Sequence, residues 1–139
     1  MTIEHARRWL TIGAVCGFAT VALGAFGAHA LADRVEPSLI ANWATATDYL
    51  GLHALAILGC GLWCLVVSDA RHEASASLGW VSKAALAFLI GILLFCGSLY
   101  LMVLTGNRAL GMITPMGGVA MLIGWAFLIL AAWRARVLV

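Results

Sequence analysis

The sequence predicts an all-α integral membrane protein, a four-helix bundle whose helices each cross the bilayer. Two observations carry that prediction. Of the 139 residues, 64% are hydrophobic and 10% charged, whereas a soluble domain carries roughly 45–50% apolar residues and about a quarter charged ones. Water cannot solvate the surface such a chain presents, so the excess must face lipid. The apolar residues also fall into four separate runs, at 9–31, 45–67, 84–104 and 113–133, and each is long enough for a bilayer that needs about 20 apolar residues per helix. The runs are continuous, without the alternation of barrel strands. Backbone in lipid must satisfy its own hydrogen bonds, so the runs are helices.

The first run follows Arg7 and Arg8 and ends at Ala28-His29-Ala30, which imitates a signal peptide with its cleavage site. At about 20 residues it exceeds the 7–15 of a signal core, and it is expected to be an uncleaved span. The second and third are bounded by the polar stretches 32–44 and 68–83. Gly106 and Gly111 interrupt the chain before the fourth, where Thr114 is expected to cap the first turn and Pro115 to occupy the first helical position. The connections are too short for a soluble domain, and residues 1–139 read as one transmembrane domain.

Basic residues set the expected orientation. Arg7, Arg8, Arg71, Lys83, Arg134 and Arg136 fall on one side, and only Arg34 and Arg108 on the other. The positive-inside bias then places both termini in the cytoplasm. Trp9, Trp80 and Trp133 on the inner side and Trp43 on the outer side are expected as interfacial anchors. A net charge of +2 is too small to suggest nucleic acid.

At about 100° per residue, one face of the first span carries Gly13, Gly17, Thr20, Gly24 and Gly27. The fourth span has a sparser row containing Gly117 and Gly124. Small residues let membrane helices approach closely, either within the bundle or against a second copy or another membrane protein. The second span carries a polar stripe of Asn42, Thr45, Tyr49 and His53, continued by Ala56, Cys60 and Cys64, which is expected to point into the bundle.

An ionisable group inside a membrane is costly and marks a candidate functional site. His53 is the deepest by this reading, eight residues beyond Thr45 or roughly 12 Å along the axis. Its expected partners are Tyr49, Tyr100 or Ser98. Asp48 is read as lying one turn inside the outer boundary, snorkelling or paired with Arg34 or Arg108. His29 ends the first span on that side and would be the second member of any two-histidine haem or metal site, but it lies roughly 160° from the glycine face. The cysteines Cys16, Cys60, Cys64 and Cys96 all fall in apolar runs and read as small packing residues. No nucleophile elbow, zinc-protease motif or phosphate loop is present, so neither catalysis nor a cofactor is expected.

The segment Gly24-Ala-Phe-Gly-Ala-His-Ala-Leu31, the Trp43 and Thr45-Ala pair, and Tyr49-x-x-x-His53-Ala-Leu-Ala form one pattern. Phe95-Cys-Gly-Ser-Leu-Tyr100, Leu104-Thr-Gly106, Ile113-Thr-Pro-Met-Gly-Gly118 and Gly124-Trp125 complete it. The pattern resembles the domain-of-unknown-function 423 family, related to the animal transmembrane protein 256, over nearly the whole chain. The resemblance implies a four-span protein of the bacterial inner membrane and supplies no activity. Many relatives carry glutamine after the tyrosine of the second span, where this chain has Leu50.

Three functions follow as expectations. The first is a non-enzymatic accessory or assembly subunit that packs against itself or a larger membrane complex. The second is an oligomeric transporter or channel-like unit with a polar site around His53, and the third a haem- or metal-binding redox protein using His29 and His53.

Overall fold

The computed structural model describes residues 3–68 and 75–135. Arg71 and Arg136, two of the residues behind the expected orientation, lie outside them. The first span is helix α1 (Ile3–Phe26), which continues through one wide π turn at Gly27–Leu31. The second is α2 (Pro37–Ser68). The third runs through α3 (Ser75–Gly91), a second π turn at Ile92–Cys96, and α4 (Gly97–Thr105). A short 3₁₀ segment at Arg108–Met112 leads into α5 (Thr114–Arg134). Among the described residues, four helical stretches are thus long and apolar enough to cross a membrane.

The helices outrun the apolar runs, and α2 begins well before 45, at Pro37. Hydropathy registers only the part of a helix that lipid surrounds, whereas the hydrogen-bonded rod continues into the headgroup layer. Pro37 opens α2 at a position where its fixed φ suits the first turn. At the other boundary Gly106 terminates α4 in the left-handed region, with φ 71° and its N–H donating to the Met102 carbonyl. The expected cap at Thr114 is not formed. Ile113 precedes the helix, Pro115 lies in its first turn, and the Thr114 hydroxyl is hydrogen-bonded to Ser98 instead.

Packing runs from α1 to α2, from α2 to the third span, and from the third span to α5. Half of the third span's apolar window is buried against 11% for the first and 22% for the fourth, so the second and third spans are central and the other two flank them. The flanks turn Phe18, Val21, Leu122 and Ile129 outward, toward the acyl chains.

Close approach at glycine sets the register. A Cβ on Gly13 would lie 2.8 Å from the Leu58 backbone nitrogen, and one on Gly61 would lie 2.8 Å from that of Leu10. Gly51 meets Thr20, Gly24 meets Thr47, and Gly27 meets the Trp43 indole. As numbers fall along α1 they rise equally along α2, an antiparallel register held along the whole interface. On the other flank a Cβ on Gly117 would collide with the Phe95 backbone nitrogen, and one on Gly124 would meet the Phe88 ring at 2.6 Å. Gly17 alone of the six packing glycines has nothing within 4 Å of such a Cβ.

Trp43 is not the interfacial anchor expected of it. It is 3% exposed, lies 4.5 Å from the Tyr100 ring and 5.6 Å from Phe26, and donates its indole N–H to the Leu23 carbonyl at 2.8 Å. Trp133, 86% exposed at the end of α5, has the exposure of an interfacial residue.

Candidate functional site

His53 is 2% exposed, in the middle third of α2 and enclosed by aromatic rings. Its centroid lies 5.3 Å from Phe88, 6.0 Å from Tyr49 and 6.2 Å from Trp125. The Trp125 indole Nε1 lies 3.3 Å from His53 Nε2. An indole N–H can only donate, so Nε2 accepts, and the ring proton resides on Nδ1. Nδ1 then donates to the Tyr49 carbonyl, one turn back, at 2.7 Å. Both ring nitrogens are committed, and the hydrogen bonds select one neutral tautomer. An imidazolium would set a second N–H against the indole donor.

Of the expected partners, Tyr49 is met and Tyr100 and Ser98 are not. Tyr49 serves through its carbonyl, while its ring stacks on Phe95 at 4.6 Å and the residue is 42% exposed. The Tyr100 hydroxyl lies 3.0 Å from Thr47 Oγ1. Thr47 donates its only hydroxyl proton to the Trp43 carbonyl at 2.9 Å, so Tyr100 is the donor in that pair. Ser98 donates to the Phe95 carbonyl at 3.0 Å and accepts from Thr114 at 2.8 Å. Three separate pairs therefore replace the single polar cluster expected around His53, and each ties two spans together. Trp125 is the member that the polar stripe of α2 could not disclose, because it comes from α5.

The π turn at Ile92–Cys96 belongs to this arrangement. The Gly97 N–H reaches back five residues to the Ile92 carbonyl, which widens the helix where Phe95 meets both Tyr49 and Gly117. Wide turns of this kind recur at functional sites. Beside them a crevice of about 300 Å³ is lined by Tyr49, Leu52, His53, Gly118, Leu122 and Trp125, among others. Leu50, next to Tyr49, is buried in the core.

His29 does not join His53. Gly27 packs on Trp43, so His29 stands at or above the level of Trp43, some ten residues of α2 from His53 or roughly 15 Å. It is exposed, and no group of three or more His, Cys, Asp or Glu residues among those described could hold a metal ion. The residues present do not fit a two-histidine haem or metal centre. Cys60, Cys64 and Cys96 are buried free thiols and Cys16 is partly buried.

Asp48 is the second correction. Arg108 is engaged with Glu36 at 3.1 Å, and no ion pair to Asp48 exists among the described residues. Asp48 lies twelve residues along α2 from Glu36, or roughly 18 Å along the axis, within the apolar stretch Pro37–Val67. It is exposed on the bundle surface, at a groove of about 290 Å³ between α1 and α2.

Comparison with known proteins agrees with this architecture. The model of the family described as "Protein of unknown function (DUF423)" matches residues 23–118. The UPF0382 membrane protein SAB0533 of Staphylococcus aureus is 38% identical over 126 residues, covering 91% of this chain and 95% of that protein. The UPF0382 membrane protein YwdK of Bacillus subtilis is 36% identical over 124 residues, covering 89% and 94%. The UPF0382 inner membrane protein YgdD of Escherichia coli K12 is 36% identical over 131 residues, covering 94% and 93%. No solved structure matches. With the family model spanning Leu23 to Gly118 and relatives aligned almost end to end, the chain belongs to the DUF423 family of multi-pass bacterial inner membrane proteins.

Proposed function

We propose that the chain is a non-enzymatic accessory or assembly subunit of the inner membrane, which packs against itself or a larger membrane complex with both termini in the cytoplasm. The observation that carries this reading is the pairing of the interior polar side chains. His53 with Trp125, Thr47 with Tyr100, and Ser98 with Thr114 consume one another's donors and acceptors across helix interfaces. A catalytic group needs a lone pair or proton free to meet a substrate, and these are spent on holding spans together. The flanking helices, each packed mainly on one neighbour, offer broad apolar faces to a further protein. Arg7, Arg8, Lys83 and Arg134 gather at one end of the spans, opposite Arg34 and Arg108, which supports the orientation.

Native mass spectrometry of the protein released from lipid discs tests the subunit reading. The expected result is a defined species heavier than one chain, either a homo-oligomer or a stoichiometric complex. A monodisperse monomer without a partner, recovered under the gentlest extraction, would refute it.

A further inference from the structure

Asp48 has no part in the pairs that hold the spans together. Inside a membrane span an exposed carboxylate is costly and marks a candidate site for a partner of opposite charge. This chain does not provide one at that depth. All eight Lys and Arg residues lie at 7, 8, 34, 71, 83, 108, 134 and 136, toward the ends of the spans or in the connections. A second copy packed on this face brings no lysine or arginine to Asp48 either. The amine of a phospholipid headgroup stays at the membrane surface, the level of the Glu36–Arg108 pair, roughly 18 Å along α2 from Asp48.

The groove beside Asp48 defines what does fit. It is lined by small residues of the first span together with Trp43, Ala44 and Thr47, and it runs from Asp48 toward Ala32 and Ile40 at the outer end. The Trp43 N–H is given to Leu23, and Thr47 is bonded to Trp43 and Tyr100. Asp48 is therefore the one lining side chain with an uncommitted polar group among the described residues. One acid with no second carboxylate, histidine or thiol beside it does not make a metal site. A volume of about 290 Å³ stands at the lower end of small-molecule pockets, which hold compact ligands.

We propose that the α1–α2 groove binds a compact organic cation with an apolar body, its positive charge on the Asp48 carboxylate and its body against Trp43 and the small residues of α1. This goes beyond the subunit reading and stands independently of it, since the groove is formed within one chain. The low dielectric strengthens the attraction between the charges, and burial of the apolar body against Trp43 offsets part of the cost of dehydrating the cation. The small residues leave the room: Gly24 is in ordinary contact with Thr47, and larger side chains at Gly24 or Ala44 would occupy the groove.

Equilibrium binding of radiolabelled benzyltrimethylammonium to the full chain in lipid discs tests this, with neopentylbenzene as the uncharged competitor of the same shape. The expected result is saturable binding at one cation per chain, no displacement by neopentylbenzene, and at least tenfold weaker binding in Asp48→Asn. Ala44→Leu, which narrows the groove and keeps the charge, is also expected to lose at least tenfold. Absence of saturable binding by the wild type overturns the proposal, as does equal affinity in Asp48→Asn. Equal binding of the neutral isostere overturns it too, since it would make the groove merely apolar. A polypeptide that copurifies stoichiometrically with the wild type and is lost in Asp48→Asn would assign the carboxylate to a partner helix, and would equally overturn it. Unchanged helicity and elution of both variants separate these results from misfolding.

Discussion

Replacing Trp125 by Phe removes the one donor that His53 Nε2 receives and leaves a ring of similar shape against Phe88. A buried acceptor deprived of its partner costs about 1–3 kcal/mol. Hydrogen bonds between membrane helices average about 0.6 kcal/mol and reach about 1.7 kcal/mol. The separation of 3.3 Å is slightly longer than the usual range for N–H donors, and Trp125 is 39% exposed. Both facts favour the lower part of these ranges, so the bond itself contributes about 1 kcal/mol. Lost contact of the second indole ring adds to this in the single variant, for a total of about 1–2 kcal/mol. A double-mutant cycle with His53→Phe isolates the bond, because ring contacts largely cancel and the interaction remains. Reversible unfolding in bicelles is the assay, and a coupling energy of about 1 kcal/mol is the expected value. A coupling below about 0.3 kcal/mol, within the additivity of independent sites, would refute both the assigned tautomer and the claim that this pair joins α2 to α5.

Two further substitutions probe the packing. Gly117→Leu drives a side chain into the Phe95 backbone and is expected to cost about 3 kcal/mol or more, the upper range of overpacking; Gly17→Ala meets open space and should be neutral or stabilising by up to about 1 kcal/mol, the helix preference of alanine over glycine. Comparable effects of the two in the same unfolding assay would contradict the register. The buried Trp9 indole N–H has no hydrogen-bond partner among the described residues, so Trp9→Phe removes an unsatisfied donor and should change stability by less than about 1 kcal/mol in either direction. A loss of about 2 kcal/mol or more, the range of a broken bond with its stranded partner, would mean that this N–H is bonded in the membrane.

Hydropathy made the four spans legible because transfer to lipid is a property of composition, summed over about 20 residues and indifferent to neighbours. The same averaging hid where the helices end. Asn42, Asp48 and the polar residues of 37–44 look like a boundary when charge is taken to mark water, and that assumption placed Trp43 at the surface. Trp43 is instead buried by Phe26 and Tyr100, which come from two other spans. The error at His53 has the same origin. Helical periodicity locates Tyr49 one turn from His53, but the bond to Trp125 depends on the level of α5, and that is fixed by contacts such as Gly124 on Phe88. Once one such contact is known, the constant rise of the helix fixes the level of every other residue on it.

The two polar features of α2 consequently have different physical standing. His53 resolves its cost internally: the neutral ring gives one hydrogen bond and receives one, and no charge remains to attract a visitor. Asp48 precedes it by more than one turn and lies about 140° away around the helix, so it faces the α1 groove while His53 faces α5. That rotation separates them so completely that no single ligand of ordinary size touches both. A transport path through His53 would need its two bonds broken at every passage, whereas access to Asp48 needs none broken. Selection for stability alone would favour an apolar residue at Asp48, since lipid penalises the charge and no ion pair among the described residues relieves it. The carboxylate is therefore the position of this fold at which a bound cation would offset a standing cost.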